Sequence, residues 1–153
     1  MTKKPLILIT IASCGFIALQ SSFAATIPAG TTLMVETLTA IHSNSRVGRA
    51  VGAKLSQDVA VNGTVVLRAG TKVSAQIASS PTDPKKTRPL TVNITDVSVN
   101  GQRIPIKTAS GFTIDYKGHP MGRGPSKIPV SSGQFVVPAG TKMEFRLAEP
   151  LNV

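Results

Sequence analysis

Ile27-Pro28-Ala29-Gly30-Thr31-Thr32-Leu33-Met34-Val35 is a stretch that this chain uses three times. Leu67-Arg68-Ala69-Gly70-Thr71-Lys72-Val73-Ser74-Ala75 repeats it, and Val137-Pro138-Ala139-Gly140-Thr141-Lys142-Met143-Glu144-Phe145 is the third copy. Each copy reads as a tight turn followed by an alternating run. Pro28 and Pro138 are expected to set φ for the turn, but Arg68 stands in their place in the middle copy. The shared requirement is therefore the glycine, Gly30, Gly70 or Gly140, which accepts a backbone angle other residues resist. Beyond each turn every second residue is apolar: Leu33 and Val35; Val73, Ala75 and Ile77; Met143, Phe145 and Leu147. That is the period of a half-buried strand.

Two further turns reinforce an all-β reading. Asp58-Val59-Ala60-Val61-Asn62-Gly63 is matched by Asp96-Val97-Ser98-Val99-Asn100-Gly101. Asn-Gly between β-prone runs is a strong hairpin signal, because both residues tolerate positive φ. Gly63 and Gly101 thus join Gly30, Gly70 and Gly140 as structural turn residues. Duplicated hairpins point to a small barrel or sandwich rather than a solenoid. Residues 109–134, punctuated by Gly and Pro, read as an irregular exposed loop with short extended pieces. No stretch past residue 24 has sustained helical periodicity with caps.

The beginning of the chain reads as an address. Lys3 and Lys4 precede an apolar run over 6–19 that is short for a bilayer span. Ser22-Phe23-Ala24 then supplies small residues at a cleavage position. The expected division is a signal peptide over 1–24 and a single β domain over 25–153. Ile11-Ala12-Ser13-Cys14 offers a second reading, a lipobox with Cys14 as the lipidated residue; an uncleaved anchor is a third. All three put the protein outside the cytoplasm, in the periplasm or at the outer membrane of a Gram-negative envelope. Cys14 is the only cysteine, so cleavage after Ala24 leaves no thiol and no disulfide, and stability rests on the core.

The chain has 17 Lys and Arg against 7 Asp and Glu, a net charge of +10, of which +8 remains once Lys3 and Lys4 are removed. The charges are scattered (Arg46, Arg49, Lys54, Arg68, Lys72, Arg103, Lys107). One cluster, Lys85, Lys86 and Arg88, is a candidate anion or partner contact, with a solvated loop tip as the plain alternative. Outside the inner membrane the anions on offer are cell-wall polymer, lipopolysaccharide, lipid headgroups and acidic protein surfaces. No specific nucleic-acid motif is present, and no aromatics interleave the basic loop.

The residues show no catalytic pattern. No serine lies in a Gly-x-Ser-x-Gly context. His42 reads as a solvated turn histidine. His119, near Met121, does not complete a soft-metal site, and Met34 and Met143 fit strand positions. The acids form no close pair; Asp58 and Asp96 read as structural, capping turn amides or pairing with a cation. The expectation is a non-enzymatic protein with no cofactor and no metal.

Taken in order, these motifs resemble the C-terminal β-barrel domain of the scaffold subunit of type IV secretion and conjugation machines. They are Ile27-Pro28-Ala29-Gly30-Thr31, Ala53-Lys54-Leu55-Ser56-Gln57-Asp58-Val59, Asn62-Gly63, Leu67-Arg68-Ala69-Gly70-Thr71, the run over 90–99, Asn100-Gly101-Gln102-Arg103-Ile104 and Pro138-Ala139-Gly140-Thr141. The resemblance implies an envelope scaffold or interaction module that lines an outer-membrane channel, binding envelope proteins or copies of itself. Two departures stand out. The barrel would follow the signal directly, and residues 108–134 are too polar and rich in Gly and Pro to form the helical hairpin that family members carry across the outer membrane. The other class of function is a periplasmic binding protein that holds an anionic cell-wall polymer, lipopolysaccharide or lipid on its basic surface.

Overall fold

The computed structural model describes residues 24–81, 89–115, 120–121, 130–131 and 134–153. Cys14, His119 and the cluster Lys85, Lys86 and Arg88 lie outside the described residues, as do residues 1–23 and most of 109–134.

The described chain is all-β. Its strands are β1 (Thr26–Ile27), β2 (Thr32–Thr37), β3 (Ile41–His42), β4 (Ala50–Leu55) and β5 (Val59–Val61). They continue with β6 (Thr64–Leu67), β7 (Lys72–Ser79), β8 (Leu90–Val99), β9 (Gln102–Pro105) and β10 (Phe112–Ile114). The last five are β11 (Pro120–Met121), β12 (Val130–Ser131), β13 (Gln134–Val137), β14 (Lys142–Arg146) and β15 (Leu151–Asn152). The main sheet is antiparallel, ordered β11-β10-β8-β7-β4-β2-β14, with β9 also on β8. It curls into half a barrel. Beyond β9 the chain reaches the far end of the sheet: Ala109 donates to Arg146 and Ala148 to Lys107, each at 2.9 Å, around a bridge between Thr108 and Leu147.

The alternation predicted from sequence is the burial pattern. Leu33 and Val35 on β2, Val51, Ala53 and Leu55 on β4, Val73, Ala75 and Ile77 on β7, and Met143 and Phe145 on β14 all point inward. Burial of this apolar face supplies the main driving force, at roughly 25 cal/mol per Å². β8 holds the alternation only as far as Ile94. Ser74 faces Asp96 while Ala75 faces Ile94, so Thr95 is an extra residue in a bulge, and the inward phase resumes at Val97.

The repeated stretch is a repeated joint. Gly30, Gly70 and Gly140 have φ of 83°, 86° and 83°, the value of the third residue of a type II turn. The prolines stand at the first turn position, with Ala29 and Ala139 following them, so they lead into the bend instead of setting its second residue. In each copy the threonine hydroxyl donates back to the first residue: Thr31 to Pro28 at 2.7 Å, Thr71 to Arg68 at 2.6 Å, Thr141 to Pro138 at 2.7 Å. Each turn also brackets one residue at the end of a neighbouring strand. Gly30 N donates to Leu147 O, and Leu147 N to Thr31 O. Gly70 and Thr71 hold Leu55 the same way, and Gly140 and Thr141 hold Thr37. The joint thus ties the start of one strand to the end of the next in space. Thr37 is only 1% exposed; its hydroxyl donates to Pro138 O and accepts from Thr141 N, both at 3.1 Å, which meets the demand that a buried polar group be paired.

Both Asn-Gly hairpins form as predicted, with φ of 51° and 80° at Asn62 and Gly63 and 49° and 79° at Asn100 and Gly101. Two expectations need correction. The first part of the predicted loop over 109–134 is core: Phe112 and Ile114 are buried on β10, which pairs with β8. The run over 134–151, which the sequence presents as one terminal strand, is three strands, broken by the third turn and by the bend before β15.

Candidate functional site

Cross-strand register gathers the scattered cations. Lys142 faces Glu36, Glu36 faces Lys54, and Lys54 faces Lys72. Val73 faces Val97, which sets Lys72 beside Ser98, and Ser98 faces Arg103. On β2, β4, β7, β8 and β14 the flanking residues Val35, Ala53, Leu55, Val73, Val97 and Met143 are buried, and on β9 Arg103 itself is exposed. A strand alternates its faces, so the row points outward. It crosses β14, β2, β4, β7, β8 and β9 in one line. At about 4.8 Å per strand it runs roughly 24 Å.

Four cations share this line with one carboxylate. Glu36 lies 3.8 Å from Lys54 Nζ, the side chains being 26% and 39% exposed. A pair so exposed contributes about 0–1 kcal/mol. Lys142, Lys72 and Arg103 are exposed and carry no ion pair among the described residues. Lys54 and Lys72 stand directly opposite each other, an arrangement that costs stability. The flanking rows hold Glu144 on β14, and Asp96 opposite Ser74. Asp96 accepts the Thr95 hydroxyl at 2.9 Å.

The other nominated residues stand apart from this line. Gly30, Gly63, Gly70, Gly101 and Gly140 are all turn residues with positive φ. Asp58 accepts Ala69 N at 2.7 Å and so caps the middle repeated turn; Asp96 caps no turn, and the two matched acids differ in role. Met143 is core, while Met34 is half-buried on the outer face. His42 is exposed on β3, where it faces Val136 of β13. Among the described residues no three His, Cys, Asp or Glu side chains gather as a metal site requires.

A second basic feature lies at the other end of β4. The segment over 42–49 lines an open concavity of about 480 Å³ with His42, Asn44, Ser45, Arg46, Val47 and Arg49. Arg49 N donates to Arg46 O at 3.1 Å, and Gly48 between them has φ of 86°. This is the repeated turn's geometry a fourth time, in a stretch that lacks the repeated sequence. Only a glycine two residues after Arg46 signals it.

Neither a protein-family model nor a curated protein matches the chain.

Proposed function

We propose that this protein is an exported, non-enzymatic binding module that lays its outer sheet face on an extended anionic polymer of the cell envelope. The observation that supports this is the outward row of Lys142, Lys54, Lys72 and Arg103 with one carboxylate, Glu36, among them. A straight line of cations on a rigid sheet suits a chain of repeated negative charges better than a single small anion. The opposed Lys54 and Lys72 relieve their repulsion when such a charge comes between them. The binding is electrostatic and surface-exposed, so it weakens with ionic strength, the screening length falling to about 8 Å at physiological salt. The test is co-sedimentation of the purified protein with lipopolysaccharide aggregates across a salt series. Retention at low salt that is lost by about 0.5 M supports the proposal, and absence of retention at low salt refutes it.

The secretion-scaffold reading is a second proposal, favoured by a different observation. β5 and β6 form a two-stranded sheet of their own, on which Val65 is 46% exposed. Such a hairpin offers strand edges to a partner protein or a second copy. Crosslinking in the native cells separates the readings: a large assembly with channel subunits supports the scaffold, a small free species removes it.

A further inference from the structure

The concavity over 42–49 is a built feature. Its backbone is pinned from several sides. Ser43 N donates to Phe135 O at 2.9 Å and Ser43 Oγ accepts Phe135 N at 3.1 Å. Ser80 Oγ donates to Ser43 O at 2.7 Å. Gly48 N donates to Ile77 O at 2.8 Å, Ile77 N to Arg49 O at 3.0 Å, and Gln76 Nε2 to Gly48 O at 2.9 Å. The type II turn keeps the Cα atoms of Arg46 and Arg49 within about 7 Å. Both guanidinium-bearing side chains belong to exposed residues and line the concavity, and neither has an ion pair among the described residues. The six lining residues include no carboxylate. One lining residue is apolar: Val47, between the two arginines, is 62% exposed.

We propose that this concavity binds a phosphate ester that carries an apolar substituent. Two forked guanidiniums on a fixed turn match phosphate oxygens in a way that point-charge lysines do not. Asn44 and His42 add polar side chains on the same wall. Val47 gives the substituent an apolar surface to cover. The volume lies within the range of about 300–1,000 Å³ usual for small-ligand sites. Lys54 lies five residues beyond Arg49 along β4, about 17 Å on a strand, so the site stands independently of the outer-face row.

The experiment is an NMR titration of the ¹⁵N-labelled whole protein with phenyl phosphate and, separately, inorganic phosphate. Saturable shifts are expected at Gly48 and at the arginine Nε groups of Arg46 and Arg49, with phenyl phosphate the tighter ligand. Arg46→Gln with Arg49→Gln should weaken both ligands at least about tenfold. Val47→Ser should weaken only phenyl phosphate. Lys54→Glu with Lys72→Glu should leave this site unchanged. A parallel arm uses phosphatidylglycerol vesicles, with phosphatidylcholine vesicles as control. Pelleting that requires Arg46 and Arg49 assigns the ester to a lipid headgroup; saturation in solution without pelleting assigns it to a soluble ester. Absence of saturable shifts over 42–49, or equal affinity in the double-glutamine variant, overturns the proposal.

Discussion

The two cationic regions are built in opposite ways. The row on the outer face exists only through pairing: Lys54, Lys72, Arg103 and Lys142 sit on four different strands, and one register slip on any strand would turn its member inward. The pair Arg46 and Arg49 is made by four consecutive residues and one glycine angle. The difference separates a surface that depends on the whole fold from one that depends on a single turn. It also predicts what each can hold: a long polymer along the first, a compact ligand in the second.

The largest expected effect comes from reversing the centre of the row. Lys54→Glu with Lys72→Glu changes the line from a net +3 to −1. At about 1 kcal/mol per contacting charge in water, polyanion affinity should fall by about a hundredfold or more, while phenyl phosphate binding stays the same. Equal losses at both sites would abolish the distinction between them.

Gly111→Ala attacks the fold that carries the row. A Cβ there would run into Asn93 Oδ1 and lie 2.9 Å from Val92 O on β8. The backbone oxygen cannot swing away, so a stability loss of about 1–3 kcal/mol is expected in denaturant unfolding. At equal folded fraction, both anion sites should keep their affinity.

Gly48→Ala attacks only the turn. The nearest atom to an added Cβ is 3.8 Å away, so its cost is the strain of φ at 86°, about 1–2 kcal/mol. If the turn opens to relieve it, phosphate ester binding weakens and polyanion binding does not. Calorimetric unfolding and the two titrations together measure this.

The smallest effect is a gain. Glu36→Gln removes the one carboxylate in the row together with the exposed pair to Lys54. Stability should drop by no more than about 1 kcal/mol, and polyanion affinity at low salt should rise severalfold.

The same contrast explains what could be read beforehand. Ala-Gly-Thr and Asn-Gly encode their turns locally, because only glycine and asparagine hold those angles cheaply, and every nominated glycine has a positive φ. Strand phase was also legible, since alternating valines and leucines mark one face. Pairing was not. The bulge at Thr95 inverts the phase before Val97, and that inversion sets Ser98 and Arg103 on the outward row; nothing in Ile94-Thr95-Asp96-Val97 announces it. The row is therefore invisible in a list of scattered charges. Over 109–134 the abundance of Gly and Pro masked a shorter signal, the alternation Phe112-Thr113-Ile114 that seats β10 in the core. The turn at Arg46 is not legible because Arg46-Val47-Gly48-Arg49 has neither the Ala-Gly-Thr nor the Asn-Gly that marks the others.

The most direct test of the outer-face row is NMR mapping of polyphosphate on the whole protein, following the lysine side chains and the Arg103 Nε together. Lys54, Lys72, Lys142 and Arg103 should shift in concert and saturate at one ligand concentration. Shifts spread evenly over all basic residues, or confined to Lys85, Lys86 and Arg88, would contradict this.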